Sequence, residues 1–144
     1  MVRMMRIIFS ALVLIAQTLA VSAPASAACS GADPALVSVR LASVMPEGGN
    51  KRYRFSGRVV NVGRSGQPSN TLQFVEIYDR GIKLDNRGIP PLRPGGSYTF
   101  GYDYLRSADA GDGTSKLTFV IHMRSPTGSA QNCSPNNDRY EVRF

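Results

Sequence analysis

The sequence predicts an all-β protein, an antiparallel β-sandwich of about seven strands. Short segments in which apolar and polar residues alternate are separated by clusters of Pro, Gly, Asn and Asp, the pattern of half-buried strands joined by turns. Beyond the first 27 residues, no segment has the periodicity of an amphipathic helix. Many short strands with regular turn signals and no helices favour a sandwich of two sheets.

The first 27 residues have the layout of a cleaved signal peptide. Arg3 and Arg6 precede an apolar run over residues 7–21, and the segment ends in Ala25-Ser26-Ala27. The run is shorter than the roughly 20 apolar residues that span a bilayer, and no second apolar stretch is long enough. We therefore expect residues 28–144 to form a single exported domain, periplasmic or secreted, without a transmembrane segment. A lipoprotein anchored at Cys29 remains the minor alternative.

Seven segments carry the strand pattern. They cover residues 35–44, 52–59, 71–78, a short stretch around Ile82 and Leu84, residues 98–104, residues 116–124 and residues 139–144. Alternation predicts that Val37, Val39 and Leu41 share one face of the first strand. The same alternation predicts which residues of the later strands face inward. They are Tyr53, Phe55 and Val59 in the second strand, Val75 and Ile77 in the third, Tyr98, Phe100, Tyr102 and Tyr104 in the fifth, Leu117, Phe119, Ile121 and Met123 in the sixth, and Tyr140, Val142 and Phe144 in the seventh.

The two cysteines, Cys29 and Cys133, are predicted to form one disulfide, because paired cysteines in an exported chain are normally oxidised. They precede the first and last strands. If those strands run parallel at the edge of an immunoglobulin-like sandwich, their starts share one end. The Cα atoms could then come within the roughly 7 Å that a disulfide requires.

Four motifs resemble the CARDB family, the cell adhesion related domain found in bacteria. They are Asp33-Pro34-Ala35-Leu36-Val37 at the first strand, Val59-Val60-Asn61-Val62-Gly63 at the end of the second, Ile89-Pro90-Pro91-Leu92-Arg93-Pro94-Gly95-Gly96-Ser97, and Asn136-Asn137 before the last strand. The likeness covers roughly residues 33–144. It implies an immunoglobulin-like or fibronectin-like sandwich with an extracytoplasmic binding or adhesion role, and no catalytic residue.

The distribution of charge indicates a candidate binding surface. The chain carries 17 basic and 10 acidic residues, and loss of Arg3 and Arg6 with the signal peptide leaves a net charge of +5. Arg52, Arg54 and Arg58 project from one face of the second strand, where they could bind phosphates, carboxylates or sulfated glycans. The alternative is that these exposed cations suppress edge pairing and aggregation. The expected partner is an anionic envelope polymer or another protein, and no nucleic acid is expected.

Residues for catalysis are sparse. His122 is the only histidine, is predicted to face outward, and has no nucleophile motif near it in sequence. No metal site or cofactor is expected, although Asp109 and Asp112 in a Gly-rich loop are weak calcium candidates. The sequence therefore predicts a non-enzymatic binding or adhesion module, with an accessory or inhibitor subunit of an exported enzyme as the alternative.

Overall fold

The computed structural model describes residues 30–111, 115–124 and 132–144. The predicted signal peptide, Cys29 and Asp112 lie outside this range. The described residues form seven strands and one 3-10 turn: β1 (Pro34–Glu47), β2 (Asn50–Asn61), β3 (Leu72–Asp79), β4 (Ile82–Ile89), β5 (Ser97–Ser107), β6 (Lys116–Arg124), η1 (Pro135–Asn137) and β7 (Arg139–Arg143). The predicted all-β class and strand number are confirmed.

The strands form two antiparallel sheets packed face to face. One has the order β1-β2-β5 and the other the order β4-β3-β6-β7. Two tight hairpins help to fix the register. Gly48 and Gly49 link β1 to β2 with φ of 52° and 81°, and Arg80 and Gly81 link β3 to β4 with φ of 49° and 83°. Two consecutive positive φ angles are typical of the type I′ turn, whose twist matches that of a hairpin.

Strand direction defines the two ends of the sandwich. We call the end at which β1, β5 and β7 begin the Asn61 end, and the opposite end, with the two tight turns, the hairpin end. The edge strands β1 and β7 run parallel in different sheets, and the Asp33 carboxylate before β1 accepts hydrogen bonds from Ser134 and Asn137 before β7. The first and last strands therefore start side by side, as the sequence prediction requires.

The core lies between the sheets and is aromatic at its centre. The Phe55 ring from β2 lies 6.0 Å from Phe119 of β6 and 5.0 Å from Phe144. Gly57 leaves a gap on the inner face of β2, and the ring of Phe100 from β5 fills it. A β-carbon at Gly57 would lie 2.1 Å from Phe100 Cζ. The inward residues predicted for β2 and β3 are all buried.

Some predicted facings differ from the structure. Val37 is 45% exposed rather than in the core, because a register shift between Leu36 and Ser38 makes it an extra, bulged residue. Tyr98 at the start of the aromatic row is exposed, whereas Phe100 and Tyr102 are buried as predicted. The predicted turn before β2 shrinks to Gly48–Gly49, since Pro46 fits within β1, an edge strand.

Candidate functional site

The three predicted arginines lie in a row on the outer face of the β1-β2-β5 sheet. The register sets Arg58 between Ser38 of β1 and Thr99 of β5, and Arg54 between Ser43 and Asp103. Two residues along a strand advance about 7 Å, so Arg54 and Arg58 stand about 13 Å apart. The structure thus gives the arginines one shared face but different neighbours.

Arg52 and Arg54, nearer the hairpin end, are held by carboxylates. Arg52 contacts Glu47 through Nε and Nη2, the latter at 2.5 Å, and Asp103 at 3.4 Å. Arg54 binds Asp103 through Nε at 3.0 Å and Nη2 at 3.2 Å. Hydrogen bonds from Arg54 hold the pKa of Asp103 below its usual value, and those from Arg52 do the same for Glu47. We call these four residues the paired ladder; its formal charge is zero.

Arg58, nearer the Asn61 end, has a different environment. Its Nη2 donates to Ser97 Oγ at 3.3 Å. Within the described part of the chain, no carboxylate lies within 4 Å of Arg58, of Arg40 on β1 or of Arg93 in the β4–β5 connection. All three arginines are exposed. A shallow cavity of about 530 Å³ follows the β4–β5 connection and is lined by Pro91, Leu92, Arg93, Gly95, Gly96 and Ser97.

The motifs that resemble the CARDB family meet at the Asn61 end. The buried Asn61 side chain makes four hydrogen bonds. Its Oδ1 accepts from Asp33 N at 2.9 Å and Gly63 N at 3.1 Å, and its Nδ2 donates to the carbonyls of Ser65 at 2.9 Å and Leu92 at 3.0 Å. One amide therefore ties together the start of β1, the end of β2 and the β4–β5 connection. This satisfied amide explains the Asn-x-Gly motif.

Gly63 and Asn137 complete this arrangement. A β-carbon at Gly63 would lie 2.1 Å from the Gly31 carbonyl oxygen, so only glycine permits this approach of two backbones. Asn137 Nδ2 donates to Asp33 Oδ2 at 3.2 Å, which brings in the fourth motif. Asp138 beside it accepts from Asn132 at 2.5 Å. Burial, with the nearby Asp33 carboxylate adding to it, raises the pKa of Asp138 to about 6.

The cysteine prediction can be followed from one side only, since Cys29 lies outside the described residues. Cys133 Sγ lies 3.1 Å from the position that a β-carbon on Gly31 would take. Gly31 is two residues after Cys29, so the described backbone brings Cys133 into the neighbourhood that the pairing needs. The Cys29–Cys133 disulfide stays a prediction.

The remaining candidates are placed as follows. His122 is exposed on the outer face of β6, opposite Phe74 of β3. Asp109 is exposed after β5, with its backbone N–H 3.4 Å from Ser107 Oγ, and the calcium hypothesis stays untested because Asp112 is outside the described range.

No group of three or more His, Cys, Asp or Glu side chains suited to a metal occurs among the described residues. In the same residues, no helix has the length and hydropathy to cross a bilayer.

The sequence pattern did not predict that Arg52 and Arg54 pair with carboxylates, nor that Arg58 belongs to a separate group. The Arg52–Glu47 pair was partly predictable, because a two-residue turn at Gly48–Gly49 brings Glu47 back towards Arg52. Asp103 gave no such signal, since it reaches Arg54 only through the non-sequential pairing of β2 with β5.

The other face, on the β4-β3-β6-β7 sheet, was not predicted as a site. Glu76 of β3 lies on this outer side. It is nevertheless covered, because it accepts from Lys83 Nζ at 2.5 Å and Tyr78 Oη at 2.6 Å. A cavity of about 330 Å³ near it is lined by Tyr78, Gly81, Thr118, Val120 and Arg139. Arg139 is paired with Glu141 at 2.7 Å, so this cavity presents less free positive charge than the Arg58 region.

Comparison with known proteins supports the fold. No family model and no curated protein matches the sequence. Among solved structures, the CARDB domain of a Pyrococcus furiosus protein, crystallised in complex with di-metal ions, matches with a TM-score of 0.58 at 17% identity, covering 81% of this chain and 90% of that one. A domain of a Methanosarcina acetivorans protein described as a cell surface protein matches with a TM-score of 0.52 at 19% identity, covering 78% of this chain and 89% of that one. A solution structure of the same Pyrococcus domain gives a TM-score of 0.54 at 19% identity, covering 77% and 94%.

These matches confirm the predicted fold resemblance. With two antiparallel sheets, seven strands and the four motifs gathered at one end, the chain has the fold of a CARDB domain.

Proposed function

We propose that the chain is an exported, non-enzymatic binding or adhesion module that contacts an anionic polymer of the cell envelope. The observation that carries the proposal is the outer face of the β1-β2-β5 sheet. It is open and weighted to positive charge, with Arg40 and Arg58 exposed near Arg93 and without a carboxylate partner in the described residues. Arginine binds anionic oxygens through a planar fork of donors, and a basic protein surface attracts polyanions.

The solved structures of similar fold favour an extracytoplasmic setting. One of them belongs to a protein described as a cell surface protein. The predicted signal peptide over residues 1–27 would deliver this chain to the same side of a membrane. Mass analysis of the exported product tests this step, because cleavage after Ala27 gives a chain that begins at Ala28. A lipid-modified Cys29 at the N-terminus would instead select the anchored form.

The polymer contact is tested with residues 28–144 applied to immobilised polyanions and to a neutral glycan. Retention on at least one polyanion at low salt, lost as salt rises, is the expected result, because screening weakens contacts between exposed charges. The neutral glycan should retain nothing. Absence of retention on every polyanion at low ionic strength would refute the polymer form of the proposal.

An accessory or inhibitor subunit of an exported enzyme is the second candidate, and one observation favours it. Val37, Leu41 and Val44 of the edge strand β1 are 37–45% exposed, a row of apolar side chains suited to a protein partner. Co-purification with a defined exported enzyme, abolished by Leu41→Ser with Val44→Ser, would support this candidate. Leu72→Ser, on the opposite sheet and 56% exposed, is the control.

A further inference from the structure

The outer face of the β1-β2-β5 sheet divides into two halves with different electrostatics. The half near the hairpin end holds the paired ladder of Arg52, Arg54, Glu47 and Asp103. The half near the Asn61 end holds Arg40 and Arg58, flanked by hydroxyls and bordered by the exposed Arg93. We call this second set the Arg58 patch; its hydroxyl members are Ser38, Ser56, Ser97 and Thr99.

Distance separates Arg58 from the acids of the paired ladder. Asp103 lies opposite Arg54, and Arg54 stands four residues, about 13 Å, from Arg58 along β2. That separation exceeds the Debye length of about 8–10 Å at physiological ionic strength, so the acids of the paired ladder do little to neutralise Arg58.

The two central arginines of the patch lie close together. Arg58 is opposite Ser38, and Arg40 is opposite Ser56, so the two are diagonal neighbours on adjacent strands, with Cα atoms about 7–8 Å apart. Their like charges repel, and an anion bound between them would relieve that repulsion. Ser97 Oγ extends the group, since it accepts from Arg58 and also borders the cavity lined by Arg93.

The side chains of the patch suit a tetrahedral anion better than a carboxylate. A guanidinium fork uses one lone pair on each oxygen of a carboxylate, and the acceptor sites that remain lie in the plane of the fork. A phosphate ester has further oxygens, and the four hydroxyls around Arg40 and Arg58 can donate to them. The patch is also flat and open, and Gly101 at its border adds no side chain. One anion would bind weakly on such a surface, whereas repeated anionic groups on one strand would bind through avidity.

We propose that the Arg58 patch, rather than the paired ladder, is the binding surface for a linear polymer whose repeats carry phosphate esters. This inference rests on the proposed function and assigns its ligand class and its contact residues.

Binding of a glycerol phosphate polymer to residues 28–144 tests the inference, measured as a function of salt. Arg40→Gln with Arg58→Gln should weaken binding about tenfold or more and flatten the salt dependence, because contacts with the polymer are lost. Arg124→Gln with Arg143→Gln removes the same charge from the other sheet and should change affinity by less than about threefold. Urea unfolding of each variant checks that the fold is retained.

The paired ladder provides the discriminating arm. Arg54→Gln with Asp103→Asn removes an ion pair from the same face without changing net charge, and affinity should stay within about twofold of the original. An equal loss in this variant and in the Arg58 patch variant would overturn the assignment while leaving the proposed function standing. Equal or tighter binding of polygalacturonate, a carboxylate polymer, would overturn the phosphate assignment. Failure of the unaltered chain to bind any polyanion would refute both.

Discussion

Replacing Asn61 should be among the most damaging single changes in this fold. Asn61→Ala removes four hydrogen bonds at a fully buried position and leaves two N–H and two carbonyl groups without that partner. A buried hydrogen bond contributes about 1 kcal/mol net, and an unsatisfied buried group costs about 1–3 kcal/mol. Water can reach Ser65, which is only half-buried, so we expect a loss of about 3–4 kcal/mol.

Equilibrium unfolding in urea measures this loss. With a slope of about 1.5 kcal/mol/M, the midpoint should fall by about 2–2.7 M, and the melting temperature by roughly 12–16 °C. Asn70→Ala, an exposed asparagine in the β2–β3 loop, should change stability by less than about 0.5 kcal/mol.

Asn61→Asp separates the roles of the two side-chain atoms. The carboxylate retains the two bonds accepted from Asp33 and Gly63 but turns an anion towards the carbonyls of Ser65 and Leu92. This variant should be less stable than Asn61→Ala near neutral pH and recover on acidification, since the protonated acid can donate to a carbonyl. A cost below about 1 kcal/mol for Asn61→Ala would refute the role assigned to this side chain.

Three further predictions concern the same end of the sandwich. The pKa of Asp138 is raised in the folded state to about 6, so the folded chain binds the extra proton and stability should decline as pH rises from about 4 to 6, by up to about 3 kcal/mol. Guanidinium unfolding at several pH values measures this decline in stability. It should be absent in Asp138→Asn and unchanged in Asp109→Asn. Gly63→Ala should cost several kcal/mol by thermal unfolding, because the new methyl group meets backbone, whereas Gly88→Ala, where a β-carbon would have no neighbour among the described residues within 4 Å, should be nearly neutral; equal effects would contradict the packing argument. The mature protein should weigh two hydrogens less before reduction than after it, since Cys133 is predicted to pair with the cysteine at position 29, and two free thiols in the unreduced protein would disprove the pairing.

Local pattern was sufficient to predict the fold class because strands of this protein are half-buried and alternate cleanly. Arg52–Val59 is a good example, with Tyr53, Phe55 and Val59 all buried as predicted. The prediction for Val37 was wrong because a bulge adds a residue without changing the local pattern, and periodicity cannot register that shift.

The site was less predictable, because its electrostatics depend on pairing between distant segments. Arg52, Arg54 and Arg58 look equivalent in sequence. Asp103 distinguishes them only once β5 is placed beside β2, 49 residues from Arg54. The grouping of Arg93 with Arg58 likewise depends on the β4–β5 connection, which the proline and glycine pattern identifies as irregular without giving its path.

Mapping the bound polymer on the protein tests whether the Arg58 patch is its contact surface. Amide chemical shifts of ¹⁵N-labelled protein, followed during titration with a glycerol phosphate polymer, report which surface it contacts. If the polymer binds the Arg58 patch, the largest changes occur at Arg40, Arg58 and Arg93 and fade towards Asp103. Changes centred on the paired ladder, or on the outer face of β6 around His122, would contradict it.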